Sequence, residues 1–154
     1  MKLLRRHLRR YIPVALCALL ALSGCSKDAE NAATEVPTNL TSDMEAALVA
    51  RVEGKWRAME AWDYATVYEY TTPKYREVFS KSMFLNKFGY DVRWELTGVD
   101  VLNYDAGAAV ASVAVRVMSE SAKQTTLASS IGALPDTIRE KWFYIDGEWW
   151  NSAK

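Results

Sequence analysis

The spacing of large apolar residues changes once along this chain, and the change limits what each half can become. Before Gly89 they recur at three and four residues, as in Met44, Leu48, Val52, Trp56 and Met59. That period lines one stripe of a helix. After Gly89 they recur at two: Val92, Trp94 and Leu96, then Val99 and Val101, and later Val113, Val115 and Val117. A period of two lines one face of a strand. Helices first and strands afterwards, rather than the two alternating, specify an α+β fold with an antiparallel sheet.

Local signals place the elements. Ser42-Asp43-Met44-Glu45 is a capping-box pattern and predicts a helix over 43–61 with Ser42 as its N-cap. Asp63 suits the cap of a second helix carrying Tyr64, Val67, Tyr68 and Tyr70. Thr72-Pro73 interrupts it, and proline fits the first turn of a new helix bearing Tyr75, Val78 and Phe79. Ser82 is read as the cap of a short helix, closed by Gly89. In the second half, Gly98 reads as a bulge and Asp105-Ala106-Gly107 as a turn. Residues 119–136, rich in Ser, Thr, Ala and Gly, read as a long hairpin loop with frayed strand ends. Strands are expected at Thr137–Ile145 and Glu148–Ser152, joined by Asp146-Gly147, the strongest short hairpin signal in the chain.

The N-terminus has a different character. MKLLRRHLRR holds five basic residues and no acid, and a short apolar run follows to Leu22. Basic region, apolar region and small residues together make a bacterial secretory signal. The apolar run is shorter than the roughly 20 residues a spanning helix needs. Leu22-Ser23-Gly24-Cys25 resembles the lipobox of bacterial lipoproteins. That resemblance implies a diacylglycerol on the Cys25 sulfur, cleavage before Cys25, and anchoring in the lipid bilayer by two or three acyl chains, since one chain anchors only marginally. Ser26, in place of Asp, implies release to the outer membrane, facing the periplasm. Residues 1–24 are thus expected to be a signal peptide, 25–41 a polar tether and 42–154 the folded domain.

Removing 1–24 changes the chemistry available. It leaves 14 basic residues against 19 acidic ones, a net charge near −5, which speaks against nucleic-acid binding. Cys17 and the only histidine, His7, go with the leader, and Cys25 is committed to lipid. Serine-histidine triads, thiol nucleophiles and the usual zinc sites are excluded, and neither cofactor nor metal is expected.

The order of elements resembles the NTF2-like (cystatin-like) superfamily. The residues that carry the resemblance are Asp63-Tyr64, Thr72-Pro73 with Tyr75-Arg76, Phe84 with Phe88-Gly89, and Trp142 through Trp150. It implies N-terminal helices packed on a strongly curved antiparallel sheet that leaves a conical pocket. Members include isomerases, dehydratases and cyclases as well as binding proteins, and many dimerise through the open sheet face. A homodimer through the sheet is therefore one implied assembly.

Candidate pocket or partner-contact residues follow from these faces. Trp56, Trp94 and Trp142 fall on inferred buried faces and read as core or as pocket lining. Trp149 and Trp150 are neighbours on a strand and must face opposite sides. Tyr64, Tyr68 and Tyr104 could orient a ligand carbonyl or simply pack. Arg116, among valines, either clamps an anion or pairs with an acid across the strands. Asp91, Glu95, Asp100 and Asp105 fall in turns and on polar faces. The favoured expectation is a non-catalytic envelope lipoprotein that binds a partner protein or a small apolar ligand. The alternative is a pocket enzyme of isomerase or cyclase type, using a tyrosine and a carboxylate.

Overall fold

Thr41, not Ser42, starts the first helix, α1 (Ser42–Glu60). Its backbone is extended and its side-chain oxygen accepts the Met44 N–H at 3.2 Å, so the cap lies one residue before the expected box. Asp43 and Glu45 in the first turn and Arg57 in the last complement the helix dipole. The helix ends with Trp62 in the left-handed region, at φ 56°. There the Trp62 N–H bonds Met59 O and the Asp63 N–H bonds Ala58 O, satisfying two terminal carbonyls.

Three short helices follow. α2 (Tyr64–Glu69) is capped by Asp63, which accepts the Thr66 hydroxyl at 2.6 Å and its N–H at 3.1 Å. These bonds, the hydroxyl one foremost, hold the Asp63 carboxyl below the usual carboxylate range. α3 (Pro73–Val78) is capped by Thr72 and has proline in its first turn. α4 (Lys81–Leu85) is capped by Ser80, whose oxygen accepts the Met83 N–H at 3.3 Å. Ser82 therefore lies inside α4 rather than at its cap, and Asn86, not Gly89, closes it. Ser80 wins because its backbone is extended, which a residue inside a helix cannot be.

The strands β1 (Val92–Asp105), β2 (Val110–Ser121), β3 (Leu134–Ile145) and β4 (Glu148–Asn151) form an antiparallel sheet in the order β1-β2-β3-β4. The architecture is α+β. β1 shifts register at Leu96/Gly98 and again at Val101/Asn103, so Gly98 does sit at a bulge. The Arg116 guanidinium passes over Gly98, where a side chain would collide with it. β2 and β3 pair as far as Ser119 with Leu134, and β1 with β2 as far as Val92 with Ser121. Residues 119–121 and 134–136, the expected frayed strand ends, are regular strand, because ladder pairing outweighs their weak strand propensity. Asp146 and Gly147 both have positive φ, 52° and 85°, the signature of the tight hairpin.

The computed structural model describes residues 37–89, 91–123 and 132–153, all within one compact unit, Ala32–Lys154. The expected signal peptide, Cys25 and the tether up to residue 36 lie outside the described residues. So does 124–131, the middle of the expected loop. No described helix is long and apolar enough to cross a membrane.

Met44, Leu48, Val52 and Trp56 of α1 pack on the inner face of the sheet against Ala111, Val113, Val115, Val117, Trp142 and Trp149. A second cluster joins Ala58, Tyr64, Val67, Tyr68 and Phe84. Met59 touches both. The free edge of β4 is partly occupied: Asn151 N–H bonds Tyr70 O at 2.7 Å, and Arg51 donates to Trp149 O at 3.0 Å. Replacing Thr41 by alanine should cost about 1 kcal/mol in urea denaturation, while Ser42→Ala stays within about 0.5 kcal/mol. The reverse order would restore Ser42 as the cap.

Candidate functional site

On the inner face of β3 the alternation Ile138, Glu140, Trp142 places a carboxylate between two apolar side chains, opposite Val113 of β2. Glu140 is 8% exposed. From α1, Lys55 reaches it and is itself 9% exposed. Both are charged side chains of a kind almost never buried without a partner.

The carboxylate has four donors. Oε1 accepts from Lys55 Nζ and from Trp56 Nε1 at 3.1 Å. Oε2 accepts from Trp142 Nε1 at 3.0 Å and from Asn151 Nδ2 at 3.3 Å. These donors come from α1, β3 and β4, so packing of the helix on the sheet assembles them. The Lys55 ammonium also lies 5.0 Å from the centre of the Trp56 ring. A buried ion pair is tolerable when such bonds satisfy the remaining lone pairs.

The pair forms the polar wall of a cavity of about 370 Å³. The size falls in the roughly 300–1,000 Å³ range of ligand pockets. Trp56, Met59, Val67, Phe84, Phe88 and Ile138 supply apolar walls, and Asn151 and Ser152 continue the polar side. The cavity thus lies among α1, the second cluster, the middle of β3 and the end of β4.

Of the residues singled out in the sequence, Trp56 lines this cavity. Trp142 is fully buried and contributes its indole N–H to Glu140. Trp94 packs edge-on against Trp56, with ring centres 5.9 Å apart. Tyr64 and Tyr68 are buried in the second cluster and donate to the carbonyls of Gly89 (3.3 Å) and Phe79 (2.7 Å). Tyr104 donates to Pro37 O at 3.1 Å, and burial pushes its phenol above the ordinary value. Trp149 is buried and donates to Met44 O at 3.0 Å. Trp150 is half-buried, with the guanidiniums of Arg51 and Arg76 4.8 and 4.7 Å from its ring centre. Arg116 pairs with Asp100, both about half exposed, away from the cavity.

Lys55 and Glu140 were not among those residues. Each interrupts an apolar stripe with a charge, and the two charges are opposite, which is the signal that could have found them. Among the described residues, the donors on Glu140 are a lysine, two indoles and an amide, with no tyrosine hydroxyl among them. Nor do those residues hold a cluster of three metal-binding side chains.

No protein-family model matches the chain, and no curated protein matches it. Among solved structures, the chain is similar to a SEC-C motif-containing protein from Rhodopseudomonas palustris. The two share 13% identity over 68% of this chain and 73% of that one, with a TM-score of 0.40.

Replacing Glu140 by leucine leaves a buried ammonium, two indoles and an amide without their acceptor. The expected loss is about 3–5 kcal/mol of unfolding free energy. Lys55→Met should cost less, because three donors stay on Glu140. Chemical denaturation of both variants checks the order, and equal losses would contradict the donor asymmetry.

Proposed function

We propose that the protein is a lipid-anchored lipoprotein of the bacterial envelope, held at Cys25 on the periplasmic side of the outer membrane. Its NTF2-like domain binds a small apolar ligand and performs no catalysis. The observation that carries the binding reading is the cavity of about 370 Å³ with apolar walls between helices and sheet. The two register shifts in β1 support a sheet curved into a cone, since bulges bend a strand and increase its twist.

Non-catalytic binding is supported by the state of Glu140. Each of its oxygens already accepts two donors, so taking a proton from a ligand would require one donor to leave. A ligand inside the cavity is favoured over a partner on the sheet. The outer sheet face exposes Arg93, Glu95, Asp100, Arg116, Arg139 and Lys141, whereas interface cores are depleted of charge.

Two measurements test the reading. Metabolic labelling with an alkyne fatty acid should mark the native protein and not Cys25→Ala, which should also leave the membrane fraction; labelling of the variant would end the lipoprotein proposal. A neutral apolar dye such as Nile red should bind the native protein. Ile138→Trp, which fills the cavity, should abolish that binding while thermal unfolding stays cooperative. Undiminished dye binding in that variant would place the ligand elsewhere.

A further inference from the structure

We infer that the cavity takes an aliphatic carboxylic acid of medium chain length, with its carboxylate on Lys55 Nζ and its chain against Phe84, Phe88 and Ile138. This rests on the ligand-binding reading above and names the ligand's chemistry.

The first argument is an imbalance between donors and acceptors. An ammonium has three N–H donors, and a carboxylate accepts about four. Glu140 is full, with four donors on two oxygens. Lys55 has Glu140 as its acceptor and no second one among the described residues. Of the two partners it is the lysine that can take a further bond, and it lies at the cavity wall.

The second argument is charge. The cavity is bordered by the ammonium-bearing Lys55 and Lys87 against the single acid Glu140, while Arg139, next to Glu140 on β3, turns its side chain to the exposed outer face. Lys87 directs its ammonium to the Tyr75 hydroxyl at 2.9 Å and pairs with no carboxylate among the described residues. An anionic head is therefore favoured and a cationic one is opposed. The same carboxylate can approach Lys55 without stripping Glu140, which keeps its two indole donors and one amide.

Shape supplies the third. Apart from these groups the walls are aromatic and aliphatic, so the rest of the ligand is hydrocarbon. At about 370 Å³ the cavity lies at the small end of ligand pockets, suited to one chain rather than a two-chain lipid.

The test uses full-length protein in lipid nanodiscs, with decanoate, decanol and decyltrimethylammonium as probes. Tryptophan fluorescence reports binding, since Trp56 lines the cavity, and empty nanodiscs give the partitioning correction. Decanoate should bind about ten- to a hundredfold tighter than decanol, the difference expected of one charge-assisted hydrogen bond. Decyltrimethylammonium should bind weakest. In Lys55→Met the preference for the acid over the alcohol should vanish, with decanol binding retained. A second measurement needs no variant and covers the case in which Lys55→Met does not fold. The carboxyl carbon of bound, isotopically labelled decanoate should titrate below its free value, because a neighbouring ammonium favours the ionised form. Equal affinities for decanoate and decanol, or titration of the bound acid at or above its free value, overturns the carboxylate assignment and leaves the ligand reading standing. Binding of neither probe overturns that reading itself.

Discussion

The fold depends on how one buried carboxylate is satisfied. An ion taken from water into a protein interior costs several kcal/mol, and attraction to a single partner need not offset it. Glu140 meets this cost with a lysine and an indole from α1, an indole from its own strand and an amide from β4. The arrangement constrains three elements together. A one-residue slip of β3 would send Glu140 to the outer face and bring Arg139 inside, leaving Lys55 buried beside another cation. A rotation of α1 would take away Lys55 and Trp56 at once. The apolar core sets the distance between helix and sheet, and the carboxylate sets their register.

The remainder of the helical half closes the space that this register leaves. Trp62, in a left-handed conformation more often given to glycine, turns the chain so that Asp63 can cap α2 immediately after α1 ends. The short turn folds the second cluster back over the end of α1, and Met59 is the residue that packs against both clusters. An unbranched thioether adapts well to such a seam. The cavity exists because the two clusters meet there without merging: Val67, Phe84 and Phe88 wall it from one side, Trp56 and Ile138 from the other.

Much of the fold was legible because period and turn chemistry are local. The stripe from Met44 to Trp56, the alternating valines of β2, the bulge at Gly98 and the Asp146-Gly147 hairpin each follow from a few adjacent residues. Element ends were less legible. Thr41 and Ser42 offer the same chemistry, as do Ser80 and Ser82, and only the backbone conformation decides which member of each pair caps. The ends of β2 and β3 are strand because they face one another, a fact that their own serine and threonine content does not carry. The site was least legible. Lys55 and Glu140 lie 85 residues apart, and each in isolation reads as one more surface charge. Aromatic residues drew attention in the sequence, yet most of them hold the core together. Two of the tryptophans act on the site by donating N–H groups rather than by offering a stacking face.

A carboxylate that performs proton transfer needs a lone pair within reach of the substrate. One with two donors on each oxygen is held still, and its environment is arranged around its charge. The neighbouring lysine is in the opposite condition, with fewer acceptors than it has protons. This asymmetry moves the chemistry of the cavity from the acid to the base. On the proposed reading, Glu140 orients and partly neutralises Lys55, so that the ammonium can remain in an apolar wall and still exert enough charge to select what enters. The aromatic donors on Glu140 then matter indirectly. By satisfying the carboxylate without the lysine's full attention, they leave the lysine free to recognise a ligand.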